Sequence, residues 1–153
     1  MTTVLTRASA VIEAPADAAW AVLGDYANDP LWRRAVSRME QTPPGIVHDG
    51  AQAVEELQTL GRTVVTRVEL HDVLPGRSFA WRAVDGTDAH GTRAIVPLDD
   101  GRCALRTERR IGLTGADRLL QPLVSWVMAR AERADLARAA ALVLARNGSE
   151  VIG

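Results

Sequence analysis

Five turn signals cut the middle of the chain at short intervals: Pro-Pro-Gly at 43–45, Leu-Gly at 60–61, Pro-Gly at 75–76, Asp-Gly at 85–86 and Asp-Asp-Gly at 99–101. Runs of alternating apolar and polar residues fill the gaps, with no helical segment between them. This rhythm restricts the fold sharply, because strands joined by tight turns pair antiparallel with their neighbours. It predicts six strands, at about 36–42, 51–59, 62–73, 77–85, 89–98 and 102–113. Residues of about 4–13, rich in Val, Ile, Thr and Ser and stopped by Ala14-Pro15, predict a seventh strand ahead of them.

The flanking segments have the helical period instead. Pro15 suits the first turn of a helix with Asp17 near its positive end, and Ala16, Ala19, Trp20 and Leu23 share one face. That helix is expected to end at Gly24-Asp25, with a short second helical turn over Pro30 to Ala35. After the last strand a long helix is predicted from about Ala116 to Arg146. Thr114 and Asp117 resemble a capping box, and Asn147-Gly148 offers a stop. Leu120, Leu123, Val124, Val127, Met128 and Ala131 form its apolar stripe. Trp126 borders that stripe, facing either the sheet or a partner subunit, while Arg130, Arg133, Arg138 and Arg146 belong to the solvated face. Pro122 predicts a kink or a broken first turn. A lone amphipathic helix after six strands must bury its stripe on the sheet, which has to curl around it. The fold class is therefore α+β.

Composition narrows the function. A 153-residue chain with 47% hydrophobic residues is expected to fold as one domain over 1–153. The formal net charge of -1 argues against a nucleic-acid partner. Cys103 is the only cysteine, which excludes an intrachain disulfide and a four-thiolate zinc site. All 18 basic residues are Arg, which excludes lysine Schiff-base and Walker-type phosphate chemistry. The three histidines, His48, His71 and His90, fit no zinc spacing, so neither metal nor cofactor is expected. Ser125 and Cys103 lack an evident base, which leaves nucleophilic catalysis unsupported. No secretory pattern opens the chain and no apolar run reaches the roughly 18 residues of a membrane span, so a cytoplasmic protein with no membrane span is expected.

The segment Val11-Ile-Glu-Ala-Pro-Ala-Asp-Ala-Ala-Trp-Ala-Val-Leu-Gly-Asp-Tyr26 resembles the opening of the polyketide cyclase/dehydrase branch of the START-like, or Bet v 1-like (SRPBCC), superfamily. Asn28-Asp-Pro-Leu-Trp32, Asp72-Val-Leu-Pro-Gly-Arg-Ser-Phe-Ala-Trp81 and Asp100-Gly101 are similar to it in kind and position, so the resemblance runs from about residue 6 to residue 146. It implies the helix-grip fold: a seven-stranded curved antiparallel sheet around a long C-terminal helix, two short helices after the first strand, and an apolar cavity between sheet and helix. Its functional range is wide, from cyclases and aromatases to lipid carriers and receptors.

Strand alternation proposes the cavity lining. The inward sets are Ala51, Ala53, Glu55, Leu57 and Thr59; Val64, Thr66, Val68 and Leu70; Phe79, Trp81 and Ala83; and Cys103, Leu105, Thr107, Arg109 and Ile111. Strand 89–98 is open: periodicity favours Thr92, Ala94, Val96 and Leu98 inside, whereas similarity to the family favours Arg93 and Ile95. Glu55 is the informative position. Paired with Arg109 or Arg93 it makes a polar spot on an apolar wall, suited to orienting a carbonyl or moving protons in aldol cyclisation and dehydration. Alternatively it sits at the open end and meets solvent. Tyr26 and Trp32 border an entrance and either stack on a flat ligand or plug the core. The candidate ligand-binding set is Tyr26, Trp32, Leu57, Val68, Leu70, Phe79, Trp81, Leu105, Leu123 and Val127, with Glu55, Arg109 and Arg93 as catalytic candidates. The expected function is binding of a hydrophobic small molecule, with cyclisation or dehydration of a polyketide-like substrate as the enzymatic form. The alternative is a non-catalytic carrier or sensor of a lipid-like ligand.

Overall fold

The computed structural model describes residues 2–59 and 61–152, which leaves Leu60 of the expected 60–61 turn outside the described residues. The seven strands are β1 (Thr2–Ile12), β2 (Val36–Thr42), β3 (Gln52–Thr59), β4 (Arg62–Leu74), β5 (Ser78–Ala83), β6 (Ala89–Pro97) and β7 (Cys103–Leu113). They form one antiparallel sheet in the order β1-β7-β6-β5-β4-β3-β2. The meander thus runs in chain order and β1 closes on the last strand. The sheet is curved and open, with short helices after β1 and a long C-terminal helix, which is the helix-grip fold. Gly76 and Gly101, at φ of 78° and 82°, take the left-handed turn conformation that their Pro-Gly and Asp-Gly pairs signal.

Helix α1 (Ala16–Leu23) opens at Pro15 and closes where the Gly24 N–H donates to the Trp20 carbonyl. The second short helix is a 3₁₀ segment at Tyr26–Leu31, earlier than the expected 30–35. The cause is local: the Asp25 carboxylate accepts the Ala27 N–H at 3.0 Å and starts the turn there. A 3₁₀ segment, Gly115–Leu120, precedes α2 (Gln121–Ile152). Pro122 therefore sits in the first α-helical turn, where its missing N–H breaks no bond, and the helix is broken at its start rather than kinked. The Thr114 side chain makes no capping bond, and the helix runs through Asn147-Gly148 to Ile152 instead of stopping.

The rotation of α2 corrects the predicted stripe. Leu136, Ala139 and Val143 are fully or almost fully buried, while Leu120, Leu123 and Val127 are 51%, 57% and 50% exposed. A helix has one rotation, and here the C-terminal half sets it by packing over β1 and α1. Carried back along the 3.6 period, that face brings Ser125, Met128, Ala129 and Glu132 inward and turns Leu123, Trp126, Val127 and Arg130 outward. Two apolar clusters fill the concave side. One joins Ile12, Leu23, Trp32, Ile95, Leu105 and the α2 residues; the other joins Tyr26, Val68, Leu70 and Phe79; Trp20 packs against both. Among the described residues, no helix is long and apolar enough to cross a membrane.

Candidate functional site

The register of β6 resolves the open alternative. Gly91, Arg93 and Ile95 are buried on the concave face, and Thr92 is exposed. Gly91 is opposite Trp81 on β5, and a Cβ there would collide with the Glu108 carbonyl and the Trp81 ring. Only glycine lets the indole lie over the strand, which fixes Arg93 two residues on as an inward side chain.

A guanidinium at 7% exposure requires complete compensation. Arg93 donates to both Asp29 oxygens at 3.0 and 2.8 Å and to the Leu23 carbonyl at 2.9 Å. Its flat faces lie 4.8–5.2 Å from the ring centroids of Trp32, Tyr26 and Phe79. Planarity, weak hydration and bidentate donation make Arg suited to this setting. Asp29 is fully buried and also accepts from Arg33 Nη1 at 3.1 Å. Arg33 reaches onward to both Glu55 oxygens, at 3.0 and 3.3 Å. Four charges of alternating sign, Arg93, Asp29, Arg33 and Glu55, thus run from the core to the cavity wall. Burial works against the Arg33 charge, but the Glu55 and Asp29 carboxylates outweigh it and hold the guanidinium above its usual range. Burial, the largest influence on Tyr26, pushes its phenol well above 10; Arg93 opposes this, while Asp29 and Glu55 add to it.

A second group faces the same space. Glu132 of α2 accepts the Thr107 hydroxyl at 2.8 Å and lies 3.3 Å from Arg109 Nη2. Both groups line a partly open pocket of about 30 Å3, together with Trp81, Tyr26 and Trp32. That volume has room for one or two water molecules. The space is smaller and more polar than the apolar cavity the resemblance implies, because ion pairs and aromatic rings fill the concave side at this level.

The predicted residues separate by this geometry. Glu55, Arg93 and Arg109 converge on the pocket, but Glu55 pairs with Arg33 rather than with either of the expected arginines. Tyr26, Trp32 and Trp81 line the pocket, the first two as buried core residues. Val68, Leu70, Phe79 and Leu105 lie inward as expected but are packed into the apolar clusters. Leu57 is half-buried beside them. Leu123 and Val127 lie outside the pocket, on the exposed face of α2. Cys103 is fully buried, and burial pushes its thiol up. Among the described residues, no three His, Cys, Asp or Glu side chains are placed to hold a metal ion.

Sequence reasoning missed Asp29, Arg33 and Glu132. Asp29 lay within the Asn28–Trp32 motif, where only the aromatic residue drew attention. Glu132 had a readable signal: it shares the spacing of Leu136, Ala139 and Val143, as a carboxylate among apolar residues.

A seven-stranded helix-grip protein with a polar pocket between sheet and helix is the class that fold and site define. The chain matches the family described as polyketide cyclase/dehydrase and lipid transport over residues 3–144, and it belongs to that family. Among solved structures, the Zhui aromatase/cyclase of Streptomyces sp. R1128 is similar with a TM-score of 0.77 at 18% identity, over 95% of this chain and 96% of that one. The di-domain aromatase/cyclase StfQ of the steffimycin biosynthetic pathway gives 0.76 at 17% identity, over 95% of this chain and 52% of that one. A Thermus thermophilus protein, TTHA0849, gives 0.74 at 19%, over 93% and 98%. At these identities the likeness establishes the fold. No curated protein matches the chain significantly.

Proposed function

We propose that the chain binds a carbonyl-bearing, polyketide-like small molecule between sheet and α2 and catalyses its cyclisation and dehydration. One observation carries this reading: two guanidinium–carboxylate groups and the Thr107 hydroxyl converge on a single pocket that Tyr26, Trp32 and Trp81 wall on the aromatic side and Thr92 and Glu108 complete. In the proposed reaction the Glu55 carboxylate removes a proton from the carbon between two carbonyls. The resulting enolate attacks a second carbonyl polarised by Arg109, and the alkoxide takes up a proton to give an alcohol. Loss of that hydroxyl with a proton from the neighbouring carbon releases water and leaves the double bond. Arg93 is locked on Asp29, so it is a positioning residue that holds Arg33, and through it Glu55. The ligand enters as the N-terminal half of α2 shifts outward; between 121 and 131 that helix has no fully buried side chain to hold it.

The alternative, a non-catalytic carrier or sensor of a lipid-like ligand, is favoured by a different observation. Every charged group facing the pocket already has a partner of opposite sign. A linear β-polyketone thioester separates the two readings. Wild-type protein should yield a cyclised product with loss of water by mass spectrometry, and Glu55→Gln should bind the thioester without turnover. Retention of unchanged thioester by both proteins would establish the carrier and remove Glu55 from any mechanism.

A further inference from the structure

Consecutive arginines serve different spaces at the corner between the 3₁₀ segment and β2. Arg33 faces the interior pocket and is paired twice. Arg34 faces a separate groove of about 570 Å3 between that corner and α2, which shares no lining residue with the interior pocket. The volume is in the range of small-molecule sites.

This groove has fixed walls. The Arg34 N–H donates to the Asp135 carboxylate at 3.2 Å, and Arg138 Nε donates to the Trp32 carbonyl at 3.1 Å, pinning the corner to the helix. The Gln58 N–H closes the third side on the Ala35 carbonyl at 2.7 Å. Ala35, Val127, Ala131, Ala134 and Trp126 supply its apolar lining. Asp135 and Arg138 neutralise each other across an ion pair. That leaves Arg34 and Arg130, whose guanidiniums have no carboxylate within ion-pair distance among the described residues; Arg130 rests on the Trp126 ring at 5.6 Å. Two guanidiniums without a carboxylate partner beside an apolar lining suit an occupant that supplies apolar surface and negative charge together.

The geometry points to a second ligand site on this groove, for a small amphipathic carboxylate whose apolar body lies along Ala131 and Ala134 against Trp126 and whose carboxylate sits between Arg34 and Arg130. This is independent of the chemistry at Glu55. Both arginines are solvent-exposed, so the affinity is modest and sensitive to salt.

Calorimetric titration with 2-naphthoate tests the site, with uncharged 2-naphthalenemethanol as its isostere. Naphthoate should bind with a sub-millimolar Kd, and the alcohol at least about tenfold more weakly. Arg34→Gln and Arg130→Gln should each weaken naphthoate about threefold and the double variant by roughly tenfold, with circular dichroism unchanged. Amide chemical shifts should move at 34–35 and 126–138. Equal affinity for the alcohol, no heat with naphthoate, or shifts centred on Glu55 and Arg109 would overturn the proposal. So would a concentration-dependent dimer in sedimentation that the double variant breaks, since the groove would then seat a second copy.

Discussion

The two ends of the concave face are built from the same four elements, yet one end is dry and the other charged. Along β7 the inward residues pass from Cys103 and Leu105 to Thr107 and Arg109; along β6, from Ile95 to Arg93; along β3, from Ala53 to Glu55. On α2 the inward stripe passes from Val143, Ala139 and Leu136 to Glu132. On β6 and β7 the register aligns these changes, with Ile95 opposite Leu105 and Arg93 opposite Thr107. The polar pocket is therefore a layer crossing the fold, and each element contributes one step of it. A charge within such a layer is tolerated because the neighbouring element supplies its counterion, whereas the same residue one layer down would meet only methyl groups.

The charged layer should give the largest effect when broken. Asp29→Ala leaves two guanidiniums facing each other in a closed site and should cost about 3–5 kcal/mol in urea denaturation, because removing one member of a buried pair strands the other. A loss below about 1 kcal/mol would show that water reaches Arg93 and that the layer is open. At the dry end, Leu136→Ala should cost about 2–5 kcal/mol, while Leu123→Ala, nearer the start of the same helix, should stay within about 0.5 kcal/mol. Equal losses at the two positions would mean the helix is rotated from the face described.

Alkaline pH sharpens the contrast more gently. The Tyr26 phenol ionises near 10 when the chain is unfolded and higher when folded, so its contribution is complete below pH 10 and declines as pH rises above it. Thermal midpoints measured from pH 9 upward should fall beyond pH 10, and Tyr26→Phe should remove part of that fall. The smallest effect concerns Cys103. Its burial predicts that a thiol reagent modifies it only as fast as the protein unfolds, so rapid labelling at pH 8 in native buffer would place a solvent path into the dry end.

Much of the architecture was legible because it rests on local rules. Pro-Gly and Asp-Gly pairs define turns, alternation defines a sheet face, and the 3.6 period defines a long helix, so the meander and its order could be read directly. Glu55 and Arg109 were legible for the same reason, as charged residues on an otherwise apolar face. The ion partners were not. Glu55 was expected to pair with an arginine on the sheet, yet its partner Arg33 comes from the corner before β2, brought there by a 3₁₀ turn that Asp25 starts earlier than the pattern suggested.

Sequence by itself determined the inward alternation of β3, β4, β5 and β7 from Ala53 to Leu57, Thr66 to Leu70, Phe79 to Trp81 and Cys103 to Arg109, and that a helix had to close the sheet; Thr59 and Val64, also expected inward, are exposed. Tertiary structure decided the facing of β6, through the close approach of the Trp81 indole to Gly91. It also decided the rotation of α2, through its anchoring on β1 and α1 at Leu136, Ala139 and Val143. In both cases the deciding contact joins residues distant in the chain, and periodicity carries no information about which side of an element such a contact will choose.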